Sequence, residues 1–277
     1  MPLKFSKMHG LGNDFIVIDA INQNFDPEPE QIREWAKRNT GVGFDQLLVV
    51  EKAESEHAAF KYRIFNADGG EIEQCGNGAR CFARFVREQN LTDLKVISVE
   101  TRGGLIQLEV LDDNRVRVNI GVPQFEPRLI PLDTDQQSGQ YSLEINGQAI
   151  QFSALAIGNP HIVIQVDDVE SADVEVTGAA LESHPFFPQR VNVGFMQVID
   201  ARSFKLRVFE RGVGETRACG TGACAALVAG QRLGLLGRQA SAYLRGGELK
   251  LEWQGGANPV MMTGETAMVF EGEIDND

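Results

Sequence analysis

Residues 65–79 read FNADGGEIEQCGNGA, and residues 209–223 read FERGVGETRACGTGA. The second stretch begins 144 positions after the first and repeats it at Phe65/Phe209, Gly70/Gly214, Glu71/Glu215, Cys75/Cys219, Gly76/Gly220, Gly78/Gly222 and Ala79/Ala223. A repeat of this length marks a duplicated structural unit. Each copy places one cysteine before Gly-x-Gly and a helical pattern. Two equivalent thiols, one per half, point to chemistry on two mirror-related faces of one substrate.

The duplication reaches beyond the cysteines. Leu11-Gly12-Asn13-Asp14-Phe15-Ile16-Val17-Ile18 is similar to Ile157-Gly158-Asn159-Pro160-His161-Ile162-Val163-Ile164, and Val42-Gly43-Phe44 is similar to Val193-Gly194-Phe195. The blocks keep their order in both halves. A chain of 277 residues is also at the size where one core stops growing and two domains are expected.

Between the repeats the chain reads as strands. Apolar runs or alternation predict them over 15–19, 46–51, 62–65, 95–101, 162–166, 194–200, 203–208, 240–244 and 249–254. Asp112-Asp113-Asn114 predicts a hairpin joining 105–111 to 115–120, and Asn146-Gly147 a tighter one joining 141–145 to 148–156. Helices are expected after Cys75 to about residue 89, after Cys219 to about residue 233, and, shorter, over 30–38. The run ACAALVA at 223–229 is apolar nearly all round, as in a helix buried inside its domain. Each half is therefore mostly sheet around one principal helix, with a crossover over 121–131.

Composition narrows the function class. A net charge of −13 argues against nucleic acid and anionic membranes as partners. No apolar run is long enough for a membrane span. MPLKFSKMHGLGND has no apolar core of a secretory signal. Four cysteines are not a disulfide framework, so a cytoplasmic protein with reduced thiols is expected.

Cys75 and Cys219 sit at predicted helix N-termini, where unpaired N–H groups and the helix dipole lower a thiol pKa and can hold a carboxylate. Cys81 and Cys224 fall inside the helices at non-equivalent positions and read as core. No Cys-x-x-Cys or zinc spacing occurs, and His9, His57, His161 and His184 are scattered, so no metal is expected. A cysteine hydrolase would leave the second cysteine without a purpose. Inverting a Cα centre uses both: one thiolate removes a proton from one face while one thiol delivers a proton to the other.

Gly12-Asn13-Asp14-Phe15, Asn66-x-Asp68-Gly69, Cys75-Gly76-Asn77-Gly78-x-Arg80-Cys81, Gly158-Asn159-Pro160-His161 and Glu210-Arg211-Gly212-x-Gly214-Glu215-Thr216-x-x-Cys219-Gly220-Thr221-Gly222 together resemble the diaminopimelate epimerase family over essentially the whole chain. The resemblance implies conversion of L,L-diaminopimelate to the meso isomer, in lysine and peptidoglycan precursor synthesis, without pyridoxal phosphate or metal. It implies an α/β (α+β) fold of two pseudo-symmetric domains, each a curled, mainly antiparallel sheet around a central helix, with the site in the cleft between them. Those domains would be 1–120 with 263–277, and 121–262, the C-terminal strand returning to the first.

The same resemblance assigns roles. Cys219 is the proton acceptor for the L,L isomer and Cys75 the donor. His161 and Glu210 tune the cysteines. Asn13 and Gln46 join the groups around the substrate, while Asn66, Asn159, Asn192 and Arg211 hold the distal amino-acid end, Glu210 lying beside it. The N–H groups at Gly76-Asn77 and Gly220-Thr221 bind the α-carboxylate and stabilise its enolate-like form. Proline and hydroxyproline racemases share the fold and the cysteine pair but act on a ring with no distal amino acid, so the Asn/Arg set separates them. A non-enzymatic amino-acid-binding protein is the rival from another class, and it has no use for two thiols. A homodimer is the family expectation, although Phe270 stands where the family often carries tyrosine.

Overall fold

The computed structural model describes residues 2–72 and 76–275, which fall into two compact units: Met1–Val118 with Gly264–Asp277, and Asn119–Thr263. The first contains β1 (Leu3–Gly10), β2 (Asn13–Asp19), α1 (Pro29–Ala36), β3 (Gln46–Lys52), β4 (Phe60–Asn66), β5 (Glu71–Ile72), α2 (Gly76–Glu88), β6 (Val96–Thr101), β7 (Gly104–Val110) and β8 (Val116–Gly121), whose end passes into the second. The second continues with β9 (Tyr141–Ile145), β10 (Gln148–Ala156), β11 (Pro160–Gln165), α3 (Val174–Glu182), β12 (Asn192–Asp200), β13 (Ser203–Glu210), β14 (Gly214–Thr216), α4 (Gly220–Arg232), β15 (Gln239–Leu244), β16 (Gly247–Trp253) and β17 (Val260–Gly264). The last strand, β18 (Ala267–Ile274), belongs to the first unit, where it pairs antiparallel with β1.

The strand ladders show the duplication directly. β2 and β3 run parallel across α1, as β11 and β12 do across α3. β3–β4 and β12–β13 follow as antiparallel pairs, each with a short strand, β5 or β14, on the second member. After α2, β6 pairs parallel with β4; after α4, β15 pairs parallel with β13. Each unit is thus a mixed sheet, mainly antiparallel, with a parallel pair before and after the cysteine stretch.

The register corrects one equivalence read from the sequence. Phe15 lies opposite Gln46, and His161 lies opposite Asn192. The partner of Asn192 in the first half is therefore Gln46, and Val193-Gly194-Phe195 corresponds to Leu47-Leu48-Val49, not to Val42-Gly43-Phe44. Gly43 and Phe44 precede β3, and Phe44 reaches the core from the loop. Ladder hydrogen bonds fix this register, because a slip would turn the buried face of the strand outward.

The central helices are buried as expected. α4 packs against β10, β11, β12, β13, β15 and β16, and every residue from Gly222 to Gly230 is buried. Its Ala- and Gly-rich surface lets the strands approach closely. α2 packs against β1, β2, β3 and β7. Gly78 marks the tightest approach, since a Cβ there would collide with the Tyr62 hydroxyl. Cys81 and Cys224 are both buried in these helices.

Asn146-Gly147 forms the expected hairpin, both residues at positive φ, with Ile145 opposite Gln148. Among the elements that escaped the sequence pattern are β1 and α3. In β1, Lys7 occupies a buried position because Asp14 and the Gly43 carbonyl receive its ammonium, which masks the strand alternation. In α3, β-branched Val174, Val176 and Thr177 with Gly178 speak against a helix. The Asp173 cap, accepting from the Val176 N–H, and packing against β12 and β13 override them.

Candidate active site

Cys219 is the N-cap of α4, with an extended backbone at φ −115° and ψ 108°. The Gly222 N–H donates to its Sγ at 3.4 Å, and the Thr221 hydroxyl lies 3.6 Å away. These contacts are the helix-head arrangement that the Gly-x-Gly spacing implies. The thiol is nevertheless pushed well above its ordinary range, first by burial and then by the charge of the Glu210 carboxylate. The expected lowering by the helix terminus is thus outweighed in this state. Cys219 is only 4% exposed, and a thiolate there would lose its hydration beside a second negative charge.

Glu210 ends β13 and accepts a hydrogen bond from the Thr216 hydroxyl on β14. Burial raises its carboxyl pKa, with the Thr216 and Cys219 hydrogen bonds opposing the shift. A carboxyl with raised affinity for a proton, electrostatically coupled to a thiol, is suited to exchange a proton with it.

His161 is fully enclosed on β11, and its Nε2–H donates to Asn159 Oδ1 at 2.7 Å. Burial, helped by the nearby Arg211 charge, lowers its pKa to about 3, so the ring is neutral. Asn192, on the adjacent strand, donates to the Pro160 carbonyl at 2.9 Å and accepts from the Arg211 N–H at 3.0 Å. The Arg211 guanidinium donates to the Gln189 carbonyl at 3.0 Å. Buried Glu182 accepts from the Gly212 N–H at 2.9 Å and from Arg190 at 3.3 Å, which braces the turn that presents Arg211. Asn159, His161, Asn192, Glu210, Arg211, Cys219, Gly220 and Thr221 thus occupy the linked ends of β11, β12, β13 and the head of α4.

The first unit holds the equivalent ends. Gly76 opens α2, and Asn77, one residue on, is buried. Its amide donates to Asn13 Oδ1 at 3.3 Å, and Asn13 donates to Asp45 at 2.9 Å. Fully buried Arg80 donates to Asn77 Oδ1 at 2.9 Å. Gln46 donates to Asn66 Oδ1 at 2.9 Å. Its Oε1 is buried and, among the described residues, has no hydrogen-bond partner. An enclosed acceptor of this kind suits a donor carried by a ligand. Cys75, expected to be the proton donor, lies outside the described residues.

Sequence reasoning missed a second shared feature. Arg207 grips Glu215 with Nε–Oε1 at 2.7 Å and Nη2–Oε2 at 2.8 Å, and Arg63 grips Glu71 with the same two bonds at 3.1 Å each. Glu71/Glu215 was visible as a repeat match. Arg63/Arg207 lies two residues upstream of the stretch compared, and extending the comparison to Arg63-Ile64-Phe65 and Arg207-Val208-Phe209 finds it. Arg80, Glu182 and Thr216 carried no such signal.

The fold recurs in solved structures. A hydroxyproline epimerase from Agrobacterium vitis superposes with a TM-score of 0.71 over 99% of this chain and 92% of that one, at 16% identity. At that identity the likeness concerns the fold alone. Sequence relatives are much closer. The diaminopimelate epimerase of Nitrosomonas europaea is 56% identical across 99% of this chain and 100% of its own length. That of Ectopseudomonas mendocina is 53% identical across 99% of each. The family model for diaminopimelate epimerase matches residues 5–126 and 153–269, which include every motif quoted from both halves. The chain belongs to the diaminopimelate epimerase family.

Proposed function

We propose that this protein is an amino-acid epimerase that interconverts L,L- and meso-diaminopimelate with two cysteines, in lysine and peptidoglycan precursor synthesis. The observation that carries the reading is Cys219 at the head of α4, its Sγ met by the Gly222 N–H at 3.4 Å, with Glu210 held by the Thr216 hydroxyl at the end of β13 and its charge acting on the thiol. Family membership supplies the substrate class.

The chemistry divides into two proton transfers. With its proton on Glu210, Cys219 is a thiolate. It takes the Cα proton of the L,L isomer, and the Cα–H electron pair passes into the α-carboxylate as an enolate-like carbanion. Cys75, as thiol, gives its proton to the opposite face and is left as thiolate. The reverse direction begins with Cys219 as thiol, the form that burial favours. N–H groups at Gly220-Thr221 and Gly76-Asn77 are suited to the α-carboxylate, whose charge grows in the transition state. Arg211 offers a two-pronged grip on the distal carboxylate. Gln46 Oε1, Asn13, Asn66, Asn159 and Asn192 supply acceptors and donors for the substrate's ammonium and carboxylate groups. His161, kept neutral, and Glu210 tune the thiol.

This reading includes a homodimer in the cytoplasm. Val269 and Phe270 on β18 are 55% and 47% exposed, an apolar pair that a second copy would cover. Among the described residues no helix is long and apolar enough to cross a membrane.

Incubation in D2O tests the activity. Deuterium should enter Cα of diaminopimelate and not of proline. Label in proline but not in diaminopimelate would transfer the chain to the ring-racemase reading, and label in neither would leave only binding.

A further inference from the structure

We infer that Arg207 and Glu215 are positioning residues that fix β14 and, through Thr216, set the Glu210 carboxyl relative to the thiol of Cys219. This rests on the two-cysteine reading above and extends it to residues that do not touch substrate. β14 spans only Gly214–Thr216. So short a strand has few ladder bonds to fix it, yet it must deliver the chain to Cys219 four residues after Glu215. The Arg207–Glu215 pair supplies the missing constraint. Phe209 lies opposite Glu215 in the ladder, and Arg207 reaches Glu215 diagonally along the same face. Both charged ends are nearly enclosed, with side chains 10% and 7% exposed, and a two-bond pair fixes orientation as well as distance.

Each partner is itself anchored. Arg207 Nη1 donates to the Val169 and Ala172 carbonyls at 2.7 and 3.2 Å, and Arg245 meets Glu215 at 2.9 Å. The next residue, Thr216, donates its hydroxyl to Glu210, whose charge acts on the Cys219 thiol. The path from ion pair to reacting group is therefore Arg207, Glu215, Thr216, Glu210, Cys219. The duplicated half repeats its first link: Arg63 holds Glu71 in the same manner, with Phe65 opposite Glu71, and Arg102 donates to the Glu71 carbonyl at 3.2 Å. A surface ion pair kept for solubility has no reason to recur at the same two positions of both units with the same paired atoms.

The test compares Glu215→Gln, Arg207→Lys and Glu71→Gln with the unmodified protein. Two measurements are made: site-resolved iodoacetamide alkylation of Cys219 against pH, and epimerisation kinetics. Glu215→Gln should free Cys219 from Glu210, so its alkylation at pH 8 should rise at least about tenfold as the thiol pKa falls. kcat should fall on the order of 10²-fold, the effect of a displacement near 1 Å, while KM stays within about twofold. Arg207→Lys keeps the charge, loses the fork and should fall between the two. Glu71→Gln should leave Cys219 alkylation unchanged. A Glu215→Gln profile matching the unmodified protein would overturn the proposal, as would an equal shift in Glu71→Gln, which would mark general loosening. Should Glu215→Gln fail to fold, Arg207→Lys carries the same two outcomes. The alkylation readout needs no turnover, so failure of the epimerase reading would show separately as an inactive unmodified protein.

Discussion

Replacing Glu210 by glutamine should move two observables in opposite directions. The Cys219 thiol is raised by burial and then by the Glu210 charge. Glu210→Gln removes that charge, so the thiol pKa should fall. Below the thiol pKa, alkylation of Cys219 should then accelerate at fixed pH, on the order of tenfold. Epimerisation should instead fall by about 10² to 10⁴, the usual worth of one acid–base group, because the amide cannot take the thiol proton. The assay is peptide-resolved alkylation between pH 6 and 10 beside kcat/KM at the same pH values. Slower or unchanged alkylation, or near-normal turnover, would refute the coupling.

Other outcomes follow from the same structure. Arg211→Ala should weaken diaminopimelate by about 2 kcal/mol or more, seen as a raised KM; unchanged kinetics would remove Arg211 from the site. Burial pushes the Asp14 carboxyl up, but Arg38 and Lys7 outweigh it and hold the group at about 2 against an ordinary 3.8. The stability it contributes, about 2 kcal/mol, is present above pH 4 and lost as pH falls towards 2. Asp14→Asn should therefore lower the urea midpoint at pH 7, and the difference should shrink at pH 3. Gly178→Ala would bring a Cβ to 2.7 Å from Phe209 Cβ. That should cost about 1–3 kcal/mol in chemical denaturation, and a gain in stability would show that α3 can shift.

The features legible in the sequence were those written locally. Cys-Gly-x-Gly announced both helix heads, Asn146-Gly147 announced its hairpin, and ACAALVA announced a buried helix. What escaped depended on partners distant in sequence. Lys7 is buried only because Asp14 and Gly43 receive it. The helix α3 exists because Asp173 caps it and two strands cover it. Ladder register, absent from any one strand, made Gln46 rather than a residue near Gly43 the counterpart of the Asn192 region. The thiol expectation at Cys219 failed for a related reason. A helix terminus is visible in sequence, whereas the enclosure that outweighs it, and Glu210 brought there by β13, are tertiary.

The two-base claim is tested most directly by single cysteine replacements and a diaminopimelate analogue carrying a β-halogen. Elimination of halide needs only proton removal, because the carbanion then expels the leaving group. Cys75→Ala and Cys219→Ala should each lose epimerisation in both directions by at least about 10²-fold. Each should still release halide, one from one Cα isomer and the other from the opposite isomer. If either variant epimerised at a near-normal rate, or both released halide from the same isomer, one base would serve both faces and the duplicated cysteines would need another explanation.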